Sequence, residues 1–110
     1  MIHVIKDKAT AQQIQEMLVE LETYIKVAVD VRRQVIAGGG EMHADCEAVL
    51  LEDGSEQRDI WGADWLPGSQ RVRFQSLINI RPKQGNRSAD IADATLRERI
   101  EAIVRQRLGT

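Results

Sequence analysis

Two hydrophobic periods run along this chain. After Thr10, the residues Ile14, Met17, Leu18 and Leu21 recur at helical spacing. Thr10 with Gln13 three residues on has the form of a capping box, so a helix is predicted over about residues 11 to 22. Near the other end, Leu96, Ile100, Ile103, Val104 and Leu108 form a second amphipathic stripe, and Asp93 stands where an N-cap belongs. Between these helices the period shortens to two. Ile25, Val27, Val29 and Val31 alternate and are all β-branched, which favours a strand. A helix running on to Gly38 competes, because Ala28, Val31, Val35 and Ile36 also fit a helical stripe.

Residues 2 to 5 read as a short strand, and Gly38-Gly39-Gly40 as a turn, bulge or close backbone approach. From Glu41 to about Leu51 the pattern predicts a long strand, with Asp53-Gly54 as a hairpin turn. A returning strand follows over residues 57 to 66, ended by Pro67-Gly68. Val72, Phe74, Ser76, Ile78 and Ile80 then alternate with a polar, arginine-rich set up to Arg81, and Pro82 to Asp93 is a loop. The predicted order is β-α-β-β-β-β-α. This is a single α+β domain over residues 1–110, with an antiparallel sheet, two helices on one face and a polar face left open.

Composition narrows the function classes. The chain has 110 residues, 43% hydrophobic and 29% charged, as in an ordinary soluble domain. No apolar run spans a membrane, and the N-terminus is charged by Lys6, which argues against a signal peptide. The single cysteine, Cys46, excludes an internal disulfide and a thiolate metal cluster. A cytoplasmic protein with no membrane partner is expected. The net charge of −2 hides an asymmetry: residues 1 to 65 carry −7 and residues 66 to 110 carry +5. Coating by nucleic acid is disfavoured, while a local anion contact is not.

The chemistry concentrates in two places. On the predicted strand, Glu41, His43, Asp45 and Glu47 fall on one face, and Met42, Ala44, Cys46 and Ala48 on the other. Three carboxylates and an imidazole in a row suit acid–base work or a divalent cation, with Asp30 either a further ligand or, more plainly, a polar residue on the open side of its strand. The plainer alternative is a solvated strand face. The second place is Asn79 to Ser88, where Asn79, Arg81, Asn86, Arg87 and Ser88 surround a loop able to present N–H groups and arginine forks to an anion. Here the alternative is structural pairing with the acids of the 41–47 segment. Trp61 and Trp65, four apart on one strand face, suit core packing better than a dimer or ligand contact. Cys46 reads as a buried, inert thiol.

The stretches Gly39-Gly-Glu-Met-His-Ala-Asp45, Leu50-Leu-Glu-Asp-Gly-Ser55, Ile60-Trp-Gly62 and Ser76 to Ser88 resemble a family of small uncharacterised bacterial and archaeal proteins, a domain of unknown function. The resemblance covers nearly the whole chain and implies no activity. The expected function is therefore drawn from the residues. It is binding, and in the stronger form hydrolysis, of a small anionic or phosphate-bearing ligand. His43 serves as acid or base, Asp45, Glu41 and Asp30 orient it or hold a divalent cation, and Arg81 and Arg87 hold the anion. The rival is a non-enzymatic homodimeric interaction module using the polar face or the Trp61/Trp65 surface.

Overall fold

A computed structural model describes residues 1–110. The elements are β1 (His3–Ile5), α1 (Ala11–Met17), β2 (Ile25–Asp30), β3 (Val35–Gly38), α2 (His43–Glu52), β4 (Ile60–Leu66), β5 (Arg71–Arg73) and α3 (Ala94–Leu108). The strands form one sheet in the order β1-β3-β2-β4-β5, with every neighbouring pair antiparallel. The α+β class with an antiparallel sheet is as the sequence predicts.

The two flanking helices form for the predicted local reasons. Thr10 and Gln13 close the capping box of α1, and Asp93 accepts from Thr95 N–H and Leu96 N–H at the start of α3. α1 is shorter than predicted and ends at Met17, with Glu22 at φ 64° in the turn beyond. Alternation also decides β2 correctly. Ile25, Val27 and Val29 face one side of the sheet, where Trp61, Ala63 and Trp65 of β4 join Met17, Ile100, Ile103, Val104 and Leu108 in the main core.

Three expectations are corrected. First, residues 41 to 51 are not a strand: α2 begins at His43. The alternation there coincided with a helical set, since His43, Cys46 and Leu50 are the buried residues of α2. Ala44, Glu47, Ala48, Leu50 and Leu51 are strong helix formers, and propensity wins where both periods fit. Asp53-Gly54 consequently ends a helix instead of turning a hairpin, with Gly54 at φ +104°. Second, the missing strand is β3, which pairs with both β1 and β2. Asp30 makes its turn, accepting from the N–H groups of Arg32 and Arg33. Third, the strand predicted to reach Arg81 stops at Arg73, and Leu77–Asn79 is a turn of 3-10 helix.

The helices therefore number three and cover both faces of the sheet. α1 and α3 pack on the main core, while α2 lies on a smaller cluster of Ala28, Val35, Ala37, Cys46, Leu50 and Ile60. The open polar sheet face expected from two helices does not exist. No helix is long and apolar enough to cross a membrane.

Candidate functional site

Strand register builds the site. Lys26 of β2 pairs with Asp64 of β4, and Asp64 pairs with Arg73 of β5. Register partners point to the same face, so a positive, a negative and a positive group lie side by side across three strands. The face is the one α2 covers, and the first residue of α2 is His43. Its Nε2 donates to Asp64 Oδ1 at 2.9 Å and to the Ala63 carbonyl at 3.0 Å. Arg73 holds the other Asp64 oxygen at 3.3 Å and stacks 4.8 Å from the centroid of Tyr24. Lys26 Nζ donates to the Glu41 carbonyl at 3.2 Å, tying down the approach to α2.

A cleft of about 470 Å³ opens beside Lys26, Asp64 and His43, lined also by Tyr24, Leu77 and Ile78, while Arg73 lies outside its lining. Met42 and Leu77 are exposed at its rim. Two kinds of group on its wall lack partners within the protein. Met42 is the N-cap of α2 and supplies no side-chain cap, so the backbone N–H groups of His43 and Ala44 are free. His43 is only 8% exposed, yet its Nδ1 makes no hydrogen bond. The buried side-chain polar atoms left unpaired are Asp30 Oδ2 and Trp65 Nε1 alone. Nδ1 is therefore open to solvent, on a side chain that lines the cleft. A helix N-terminus, two nearby cations and a half-engaged imidazole together favour an anion with a proton to exchange.

Of the acids expected beside His43, none lines this cleft. Glu41 and Asp45 are exposed, on either side of the start of α2. Asp30 is fully buried at the far end of β2, capping the β2–β3 turn. No group of three or more His, Cys, Asp or Glu side chains converges as a cation site needs, so the expected divalent-cation cluster is not assembled.

The Asn79 to Ser88 loop spends its polar groups on itself and on β4. The Asn79 carboxamide accepts from Gly62 N–H at 2.7 Å and donates to Gly62 C=O at 3.0 Å, as a paired strand would. It thereby prolongs the ladder that β5 abandons. A Cβ on Gly62 would lie 2.6 Å from Ser76, so only glycine lets this segment cross so closely. Asn86 donates to the carbonyls of Asn79, Ser88 and Asp90, and Ser88 Oγ donates to Asp90 C=O. Arg81 donates to the carbonyls of Ile78, Gln57 and Ile60, reaches Glu47 at 3.4 Å and stacks 4.7 Å from Trp61. It does not approach His43 as expected. Burial pushes the Glu47 carboxyl up and the Arg81 guanidinium down, and each charge only partly offsets the effect on the other. Arg87 is exposed. Cys46 is fully buried against Lys26 C=O, and burial pushes its thiol up to about 11.

The sequence singled out His43 but not Lys26, Asp64 and Arg73, which strand pairing brings beside it. Their only signal is the strand register, which no single segment contains.

Comparison with curated proteins and with solved structures finds no match. Residues 3–107 match DUF5674, described as a protein of unknown function, and the chain belongs to that family.

Proposed function

We propose that this domain binds a small anionic ligand in the cleft at the start of α2. Lys26 and the free N–H groups of His43 and Ala44 take its charge, and His43 faces it as the acid–base group. The observation that carries this reading is the uncapped N-terminus of α2 meeting a buried histidine with a free nitrogen. Met42 and Leu77 at the rim offer apolar contact to the ligand's carbon frame. The anion-holding role expected of Arg81 passes to Lys26, since Arg81 is occupied by the carbonyls of Gln57, Ile60 and Ile78. A cytoplasmic setting fits the single unpaired, buried thiol.

The test is a titration of the 15N-labelled protein with inorganic phosphate and with succinate. Amide shifts at residues 42 to 45 and at Lys26 are expected, weakened by Lys26→Met. Shifts confined to residues 83 to 88, or none anywhere at millimolar anion, would sink the reading.

A homodimer remains a second reading, but not through the tryptophans: Trp61 and Trp65 are buried in the core. The observation in its favour is Leu77, 75% exposed beside Met42. Sedimentation of wild type and Leu77→Ser distinguishes it: a dimer lost in the variant supports it, and a wild-type monomer removes it.

A further inference from the structure

The partners of His43 decide which of its nitrogens can work. A backbone carbonyl only accepts hydrogen bonds, so Nε2, 3.0 Å from Ala63 C=O, must carry the proton. The same N–H reaches Asp64, whose other oxygen is engaged by Arg73. The ring is therefore held with Nε2–H toward the sheet and the Nδ1 lone pair toward the cleft. A carboxylate that fixes one imidazole nitrogen also steadies the imidazolium formed when the other takes a proton. A histidine that served packing alone would need no free nitrogen beside two cations and a helix N-terminus.

We propose that His43 is a general base acting through Nδ1, that Asp64 is its positioning residue, and that the substrate class is small anionic carboxylic esters. This rests on the anion-binding reading above. The ligand's charged group sits with Lys26 and the first turn of α2, leaving the ester near Nδ1. Ser76 lines the same cleft, with its Oγ accepting from Ile78 N–H, and makes no hydrogen bond to His43; the attacking group is water. A phosphoryl centre would ask for a clamp of cations around its oxygens. Here Arg73 is tied to Asp64 and does not line the cleft, which leaves Lys26 as its one cation and favours an acyl centre.

The step balances without any further reactant. Nδ1 takes a proton from water, and the water oxygen's electron pair bonds to the ester carbon. The carbonyl pair moves to its oxygen, giving the tetrahedral intermediate. On collapse, the bond to the alcohol oxygen breaks. That oxygen leaves with the pair and receives the proton back from the imidazolium. An acid and an alcohol are released, and Nε2–H stays on Asp64 throughout.

Two measurements test this. Long-range 1H–15N correlation on the wild type reads the tautomer directly, and Nε2–H is expected. Hydrolysis of mono-4-nitrophenyl succinate is then compared with that of neutral 4-nitrophenyl acetate. His43→Gln should lower kcat/KM about 100-fold or more, the usual scale of a general base. Asp64→Asn should lower kcat while leaving KM unchanged, which a merely structural role would not do. Lys26→Met should raise KM for the anionic ester alone. An Nδ1–H tautomer, or equal rates for wild type and His43→Gln on both esters, overturns the proposal. Succinate that binds without any ester being turned over would end the general-base proposal and leave anion binding standing. Turnover that needs His43 but ignores Lys26→Met would do the reverse.

Discussion

Arg81 is the residue whose role changes most between sequence and structure, and its removal has a calculable consequence. Its side chain is 9% exposed. Nε donates to Ile78 C=O at 2.9 Å, one terminal nitrogen donates to Gln57 C=O at 2.6 Å, and the other serves Ile60 C=O and Glu47. Arg81→Ala strips the donor from the Ile78 and Ile60 carbonyls, at about 1–3 kcal/mol for each that stays buried and unpaired. It also removes the stack on Trp61, worth about 0.5–2 kcal/mol. These groups share one side chain, so the losses overlap, and we expect about 3–5 kcal/mol in all. That is a large part of the roughly 5–15 kcal/mol that holds a domain together. Arg81→Lys keeps the charge but not the planar fork, and should cost about 2–3 kcal/mol. Urea unfolding followed by tryptophan fluorescence reads this directly: with a slope of about 1–3 kcal/mol per molar, the Ala variant's midpoint falls by about 2 M. A loss below about 1 kcal/mol would refute the scaffold role. If phosphate no longer perturbed residues 42 to 45 in that same variant, Arg81 would belong to the binding site after all.

The remaining predictions concern nearby groups. Burial raises the Glu47 pKa, so its charge costs stability at neutral pH and the cost is relieved as pH falls through the folded value. Stability measured against pH should therefore shift in favour of wild type over Glu47→Gln on acidification; a shift the other way would mean that the Arg81 charge dominates. Asn79→Ala leaves both Gly62 backbone groups without their partner and should cost about 2–4 kcal/mol in the same urea assay, whereas an effect under about 0.5 kcal/mol would show that water replaces the carboxamide. Cys46, buried and with its thiol pushed up to about 11, should react with a thiol reagent at pH 8 only at the rate of unfolding. Rapid labelling of the native protein would contradict its place under α2.

Local order was legible where one physical signal stood alone. The β-branched alternation of residues 25 to 31 has no good helical reading once Asp30 and the turn after it are placed, and β2 formed as the pattern implied. The capping residues Thr10 and Asp93 act on backbone groups within three positions, so α1 and α3 were marked by their own sequence. Residues 41 to 51 carried two periods at once. Helix propensity and the small apolar patch offered by Ala28, Val35, Ala37 and Ile60 together decided between them, and His43 is buried on the same side as Cys46 and Leu50, which a helix achieves and a strand does not. Arg81 and Asn79 looked like surface ligands because polar residues usually are. Their inward turn depends on the carbonyls and the glycine of β4, which lie elsewhere in the chain. The site obeys the same logic. His43 stood out by its chemistry, but its carboxylate partner and the nearby cations come from three strands whose register sets Lys26, Asp64 and Arg73 in a row. Periodicity reports which face a residue shows its immediate neighbours. Which groups meet across that face is settled by strand pairing and helix docking, because those contacts join segments far apart in sequence and exist only once the sheet has formed.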